Sequence, residues 1–455
     1  MFPCRLRCVI ALAALVYVLE AVVGYHGLVR IPLESDDQLR FTGTVHLGSP
    51  PRSVRVIFDT GSSDMWVTSH HFPDDEKASK AFVIGYGGGI ASGFAVPASL
   101  HLGSNTSGVH LRDAPVGFVD DQTLIMEGID AQGVVGLGME ALAQIRGNSS
   151  LPGMMVEQQV LTRPVAFSIY ISSWPGAQPP SQFILGGDEP ALTNRNATWF
   201  TFPVISNDVL RGHTPPIGSA TKSFGFWALR LHSIRVDNKV LPLGPDSHKG
   251  AALLDSGTSM ILFPQYAFNA VVQALLVRFG TRFLSPRGGH QTLPACRCCQ
   301  VHEFPPLAFD LLLEDSRKLG TSSQRFVLQG SDYVRCDQRR RECTALIDCI
   351  QSSEISDHLH ITVLGTVFLR SYYARFDYSS KQVALACTVD EHGTCPGGFQ
   401  PTLDLRGRPY ESYGEGVPID RYMTAICTAI TALALLVGLR MVLESYEQKL
   451  HHFDD

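Results

Sequence analysis

One short grammar occurs twice in the chain and limits its fold more than any other feature. The strand-like run SVRVIF leads into Asp59-Thr60-Gly61-Ser62-Ser63, with apolar MWV close behind. In the second half GAALL leads into Asp255-Ser256-Gly257-Thr258-Ser259, followed by MILF. Each half also carries a later apolar-apolar-Gly segment, Val134-Val135-Gly136 and Val363-Leu364-Gly365. Two related lobes meeting at a cleft account for this repetition.

The residue types in the repeat suit one kind of chemistry. Two carboxylates held a few ångströms apart cannot both ionise easily, so one keeps its proton. Such a pair can take a proton from water and donate one to a carbonyl oxygen, with no metal or covalent nucleophile. Glycine two places after each Asp permits a tight turn and close backbone approach. The hydroxyl residues can hydrogen-bond and orient the carboxylates. A lone Asp-Thr-Gly is a common turn; two copies, each in the same apolar frame, are far more specific.

FTGTVHLGSPP, then FDTGSS, then LLDSGTS resemble segments of the pepsin-like aspartic proteases, in that family's order, and the resemblance extends over roughly residues 35 to 390. It implies a mainly β fold of two β-rich lobes with the active cleft between them. It implies Asp59 and Asp255 as the catalytic pair, supported by Gly61, Ser62, Gly257 and Thr258. Tyr86-Gly87-Gly88-Gly89 and Gly93 resemble the flap over the cleft, with Tyr86 its tyrosine and Trp66 the indole partner; an ordinary turn aromatic is the plain alternative for Tyr86. Glycines suit a lid that opens and closes. Peptides or proteins would be the substrates, with no cofactor or metal, and the protein would be monomeric.

The chain departs from the family pattern in four places. The stretch from Asp59 to Tyr86 is short and the first lobe has no cysteine. Only about fifteen residues separate Gly24 from Leu39-Arg40-Phe41, read as a strand, so a long inhibitory pro-segment is missing. LVRIPL, at 28 to 33, is expected to form a sheet-edge strand instead. Thr366 follows Leu364-Gly365 where many acid-active relatives carry Asp. The second lobe is rich in cysteine, and Cys349 lies where the family often has a disulfide partner, with Cys296, Cys298 or Cys299 as its mate. Arg339-Arg340-Arg341 reads as a solvated loop, with a processing site as the alternative.

Composition and flanks set the compartment. The chain has 455 residues, 45% hydrophobic and 18% charged, enough for a large core. Net charge is -6 without a basic block, which argues against nucleic acid. Residues 1–24 read as a signal peptide: Arg5 and Arg7, an apolar run from Cys8 to Val23, and small Val22 and Gly24 before Tyr25. An uncleaved anchor is the alternative. Met423 to Leu443 is long and apolar enough for one membrane span, and a charged tail follows it; a buried helix is the other reading. The organisation expected is thus a first lobe at 25–205, a second at 206–400, a juxtamembrane stalk at 401–422, a transmembrane helix at 423–443 in the lipid bilayer and a cytoplasmic tail at 444–455. That is a single-pass type I protein of the secretory pathway or cell surface.

Outside the flanks, Cys296, Cys298, Cys299, Cys336, Cys343, Cys349, Cys387 and Cys395 form an even set, the pattern of an exported, disulfide-bonded domain. A zinc cluster is the alternative, but no His falls at ligand spacing with the CRCC run. Asn105, Asn148 and Asn196 are candidate glycosylation sites. Two functions compete. One is an aspartic endopeptidase, in particular a membrane-bound processing protease. The other is a pepsin-fold ectodomain that has lost catalysis and only grips peptides or partners. Both turns are intact, which favours the enzyme.

Overall fold

A computed structural model of the chain describes residues 28–401, apart from 69–79, 87–88, 105–107, 123–130, 146–149, 162–163, 173–177, 194–196, 211–222, 242–249, 286–292, 314–322, 351–360 and 389–398. All of these fall in the first of the chain's two compact units. Within it the protein is mainly β and built as two β-rich halves.

The first half supplies β1 (Val29–Pro32), β2 (Thr42–Leu47), β3 (Arg52–Asp59), β4 (Met65–Thr68), β5 (Lys80–Tyr86), β6 (Gly89–Leu102), β7 (Val109–Gln122), β8 (Gly133–Gly136), β9 (Ala166–Tyr170) and β10 (Gln182–Leu185). Strands β2 to β8 form one sheet in the order β2-β3-β8-β4-β7-β6-β5. Burial alternates along β1. In β3 the outer residues are partly exposed, and burial becomes continuous over the last four, Val56 to Asp59. That is the signature of a strand end covered on both faces. It places Asp59 where an apolar strand runs out into the site.

The second half supplies β11 (Phe200–Pro203), β12 (Ala228–Val236), β13 (Lys239–Val240), β14 (Ala251–Leu254), β15 (Ile261–Phe263), β16 (Phe283–Leu284), β17 (Ala295–Arg297), β18 (Leu307–Leu312), β19 (Ser323–Leu328), β20 (Val334–Asp337), β21 (Glu342–Ala345), β22 (Ile347–Cys349), β23 (Ile361–Leu364), β24 (Tyr372–Asp377), β25 (Gln382–Cys387) and β26 (Phe399–Pro401). Its main sheet runs β22-β15-β23-β14-β12-β18-β19-β26, with β13 on β12, and β16-β17-β21-β20 form a smaller one. One long helix, α1 (Gln265–Phe279), buries Ala267, Phe268, Val271, Leu275 and Phe279 along one face and ends at Gly280, whose φ of 54° suits a residue without Cβ.

A third large sheet, β1-β10-β9-β24-β25-β11, joins the halves through the β9–β24 pair. Phe167 stacks on Phe376 at 5.0 Å, and both meet Trp227, whose indole N–H donates to Leu137 O at 2.9 Å. The two halves are thus joined by aromatic packing, which carries both area burial and ring geometry. LVRIPL forms β1 at the edge of this sheet, and Arg30 Nε bonds Glu189 at 3.0 Å. The sequence reading of Leu39-Arg40-Phe41 as a strand is corrected. Asp37 Oδ1 accepts the N–H groups of Leu39 and Arg40 at 2.8 and 2.9 Å, and Gln38 has φ of 60°, so the segment is a turn and β2 starts at Thr42.

Candidate active site

The repeated grammar becomes a repeated piece of sheet. β3 runs parallel to β8 with Asp59 opposite Gly136, and β4 lies antiparallel on β8. In the other half β14 runs parallel to β23 with Leu254 opposite Leu364, and β15 lies antiparallel on β23. The later apolar-Gly strand is threaded between the two strands that flank each Asp turn. Its backbone locks the turn from below: Leu137 N–H donates to Asp59 O at 2.7 Å and Gly138 N–H to Ser62 O at 2.7 Å, while Thr366 N–H donates to Thr258 O at 2.8 Å. Glycine is required there, because a Cβ on Gly365 would collide with the carbonyl oxygens of Met260 and Thr258.

The two carboxylates are held alike. Asp59 Oδ1 accepts from Gly61 N–H at 2.8 Å, and its Oδ2 accepts from the Ser62 hydroxyl. Asp255 Oδ1 accepts from the N–H groups of Gly257 at 2.9 Å and Thr258 at 3.2 Å, and its Oδ2 from the Thr258 hydroxyl at 2.7 Å. The turns face each other so closely that each glycine makes room for the opposite acid. A Cβ on Gly61 would sit 2.6 Å from Asp255 Cγ, and one on Gly257 2.6 Å from Asp59 Cγ. Burial, and then the neighbouring charge of Asp255, push the Asp59 carboxyl well above the ordinary carboxylate range, against the lowering effect of its Ser62 and Gly61 hydrogen bonds. Asp59 is therefore biased toward its protonated form.

Sequence reasoning missed the residues that register one turn against the other. Thr60 Oγ1 donates to Leu254 O at 2.7 Å and accepts from Ser256 N–H at 2.9 Å. Ser256 Oγ donates to Phe58 O at 2.6 Å and accepts from Thr60 N–H at 3.0 Å. These reciprocal bonds run between lobes, so no local pattern announces them. The one clue in the sequence is that the residue after each Asp carries a hydroxyl.

β5 and β6 form a hairpin beside the site, closing with Tyr86 paired to Gly89; Gly87 lies outside the described residues. Tyr86 OH accepts from Trp66 Nε1 at 2.7 Å, with the rings edge to face. Burial first, and the Asp59 charge second, keep the Tyr86 phenol protonated far past its ordinary range. Thr366 is buried beneath the Asp255 turn, its hydroxyl donating to Thr258 O at 3.1 Å, and supplies no charge there.

The cysteine reading needs correction at Cys298 and Cys349. Cys296 bonds Cys299 and Cys336 bonds Cys343, Cys387 is also in a disulfide, and Cys298 and Cys349 are free thiols. Strand register explains the change. Cys336 lies directly opposite Cys343 across β20 and β21, whereas Cys349 is on β22 in the other sheet, with its thiol 3.2 Å from Gln265 Oε1. Among the described residues no His, Cys, Asp and Glu group is arranged to hold a metal ion, and no helix is long and apolar enough to cross a membrane. The signal peptide, the span and the tail, Cys395, and the sequons at Asn105, Asn148 and Asn196 lie outside the described residues, as does the stalk beyond Pro401.

Two β-rich halves, each presenting an aspartate turn to the other, define a pepsin-like architecture. A family model described as eukaryotic aspartyl protease matches residues 40–388, and the chain belongs to that family. It is 28% identical to mouse napsin-A over 379 residues, 78% of each chain. It is 25% identical to cattle pregnancy-associated glycoprotein 1, covering 79% of this chain and 84% of that one. With mouse gastricsin the identity is 25%, over 77% of this chain and 81% of the relative.

Proposed function

We propose that the protein is an aspartic endopeptidase whose catalytic pair is Asp59 and Asp255, displayed as a single-pass type I membrane protein and acting as a processing protease in the secretory pathway or at the cell surface. The observation that carries this reading is the mutual clearance of the two turns: each glycine is needed because the other lobe's carboxylate fills its side-chain space. A protein that merely gripped peptides would have no use for two uncompensated acids in contact. Family membership implies peptide or protein substrates. The disulfides support an exported ectodomain, and the apolar run 423–443, with the stalk at 401–422, supports the anchor.

In the reaction, a water lies between the carboxyls. The ionised one takes a proton as the water oxygen attacks the scissile carbonyl carbon, and the protonated one donates its proton to the carbonyl oxygen. Asp59 is well suited to hold the proton at rest, since burial and its neighbour disfavour its charge. Collapse of the tetrahedral diol then returns a proton to the departing amine and restores the singly protonated pair. Ser62 and Thr258 fix the carboxylates, and Tyr86 with Trp66 forms the wall on the flap side. LVRIPL remains a strand rather than a plug, so control rests with pH, compartment or partner.

The test is cleavage of an unstructured protein by the full chain in detergent at mildly acidic pH, with and without a statine-containing peptide that mimics the tetrahedral diol. Statine-sensitive cleavage is expected. Statine binding without cleavage at any pH would favour the gripping ectodomain instead.

A further inference from the structure

A second buried carboxylate stands in the Asp59 loop, and peptide hydrolysis by the dyad makes no use of it. Asp64 is only 5% exposed. Its Oδ1 accepts from Gln144 N–H at 3.0 Å and Ile145 N–H at 2.9 Å, and its Oδ2 accepts from Gln144 N–H at 2.9 Å. Its own backbone oxygen accepts from Gly136 N–H at 3.0 Å, which ties it to the strand under the Asp59 turn. Two backbone N–H groups, with no cation beside them, are what favour its charged form among the described residues.

What Asp64 holds matters. Ile145 is buried in a small apolar cluster with Ile57, Trp66, Phe82, Ile84 and Val134, separate from the main core, and Tyr86 packs against it. This cluster is the root of the flap hairpin. Phe82 and Ile145 close so tightly over Gly117 that a Cβ there would lie 2.5 Å from Phe82 Cζ and 2.9 Å from Ile145 Cδ1. Moving Ile145 therefore moves the packing beneath the flap.

We propose that Asp64 is a positioning residue for the flap: its carboxylate pins Ile145 into the flap root, and loss of its charge on acidification loosens that root and the Tyr86 wall. The chemistry is direct. An ionised carboxylate makes strong charge-assisted bonds to N–H donors. A protonated one accepts less well and carries a hydroxyl that finds only donors in front of it. An amide at the same position would still accept at one oxygen, but could not respond to pH. Burial raises the Asp64 carboxyl while the Ile145 and Gln144 N–H groups lower it, and the balance is upward. Among the described residues the other titratable groups around it are Tyr86 from the flap, which feels the Asp64 charge, and Asp59 beyond Ser62. Strands β4 and β8 present none. Glu140, on the Ile145 segment, engages the Ser150 hydroxyl and Lys381 instead.

This inference rests on the peptidase reading for its kinetic arm only. In the full chain, kcat and KM are followed across pH for the wild type and Asp64→Asn, and hydrogen exchange of the flap segment 80–96 is followed in parallel, corrected for intrinsic rates. The wild type should show a rise in KM and faster flap exchange on the acid side. Asp64→Asn should lose both, with the acid limb of kcat still set by the dyad. Unchanged KM profiles and unchanged exchange in the variant would overturn the proposal. Should Asp64→Asn not fold, the wild type alone decides, since flap exchange that stays flat from neutral to acidic pH contradicts it. Absence of turnover would count against the peptidase reading, while the exchange arm would still decide this one.

Discussion

Asp59 and Asp310 are both buried acids, and the protein treats them in opposite ways. Asp310, on β18, is fully enclosed and meets Arg235 Nε at 3.0 Å, Arg325 Nε at 2.7 Å and the Ser233 hydroxyl at 2.5 Å. Burial would raise its carboxyl, but the Arg325, Ser233 and Arg235 contacts outweigh that and hold it below the ordinary range. Asp59 is held high: burial and an acid neighbour act on it, and no cation offsets them among the described residues. The first arrangement uses its charge to hold a sheet together. The second disfavours its charged form, the environment that the proposed proton transfer needs.

The largest expected effect that could break this contrast is on turnover. Asp59→Asn or Asp255→Asn should abolish peptidase activity in a protein that still folds, because neither carboxylate can do both proton transfers. Asp310→Asn should do the reverse. It leaves two guanidiniums with one fewer counter-charge and should destabilise by about 3–5 kcal/mol, read by denaturant unfolding, while the folded fraction keeps normal kcat. Loss of activity at unchanged stability in Asp310→Asn would erase the distinction.

Gly61→Ala comes next. Its Cβ would press on the Asp255 carboxylate, and a displacement of about 1 Å there is expected to lower kcat roughly 10²-fold. Thr60→Val, which removes the inter-lobe brace, should cost about 1–3 kcal/mol and lower kcat together with stability, unlike either acid above.

The two acids also predict opposite pH trends in stability. Asp310 has a lowered folded value, so its contribution is present above the unfolded value of 3.8 and is lost as pH falls through the folded one. Asp59 has a raised folded value, so charging it costs stability as pH rises from 3.8 through that value. Thermal melts should therefore show Asp59→Asn gaining on the wild type toward neutral pH, and Asp310→Asn losing the acid-side slope. The smallest effect expected on turnover concerns the N-terminus: deleting 25–38 removes β1 and its ion pair, together with buried Val29, Ile31 and Leu33, so it should lower melting temperature without raising turnover.

How much of this was legible in the sequence follows the range of the interactions. The strand-turn grammar around Asp59 and Asp255 and the β1 edge strand were readable, because alternation and turn glycines are local. The turn at 35–40 was not, because Leu39 and Phe41 alternate like a strand while the deciding bonds come from Asp37. The Thr60–Ser256 brace and the cysteine pairing were hidden for another reason. Each depends on which backbone lies opposite which, across lobes in one case and across β20 and β21 in the other. Asp310 gave no sign at all, since Arg235 and Arg325 reach it from separate strands.

That Asp59 and Asp255 form one proton-sharing site is tested most directly by proton uptake on binding a statine-containing peptide. Calorimetry in buffers of different ionisation enthalpy would measure it for the wild type, Asp59→Asn and Asp255→Asn. A shared proton predicts pH-dependent proton exchange with the solvent on binding to the wild type, abolished in both variants together with turnover. Unaltered proton linkage in either variant, or turnover that survives in one of them, would contradict it.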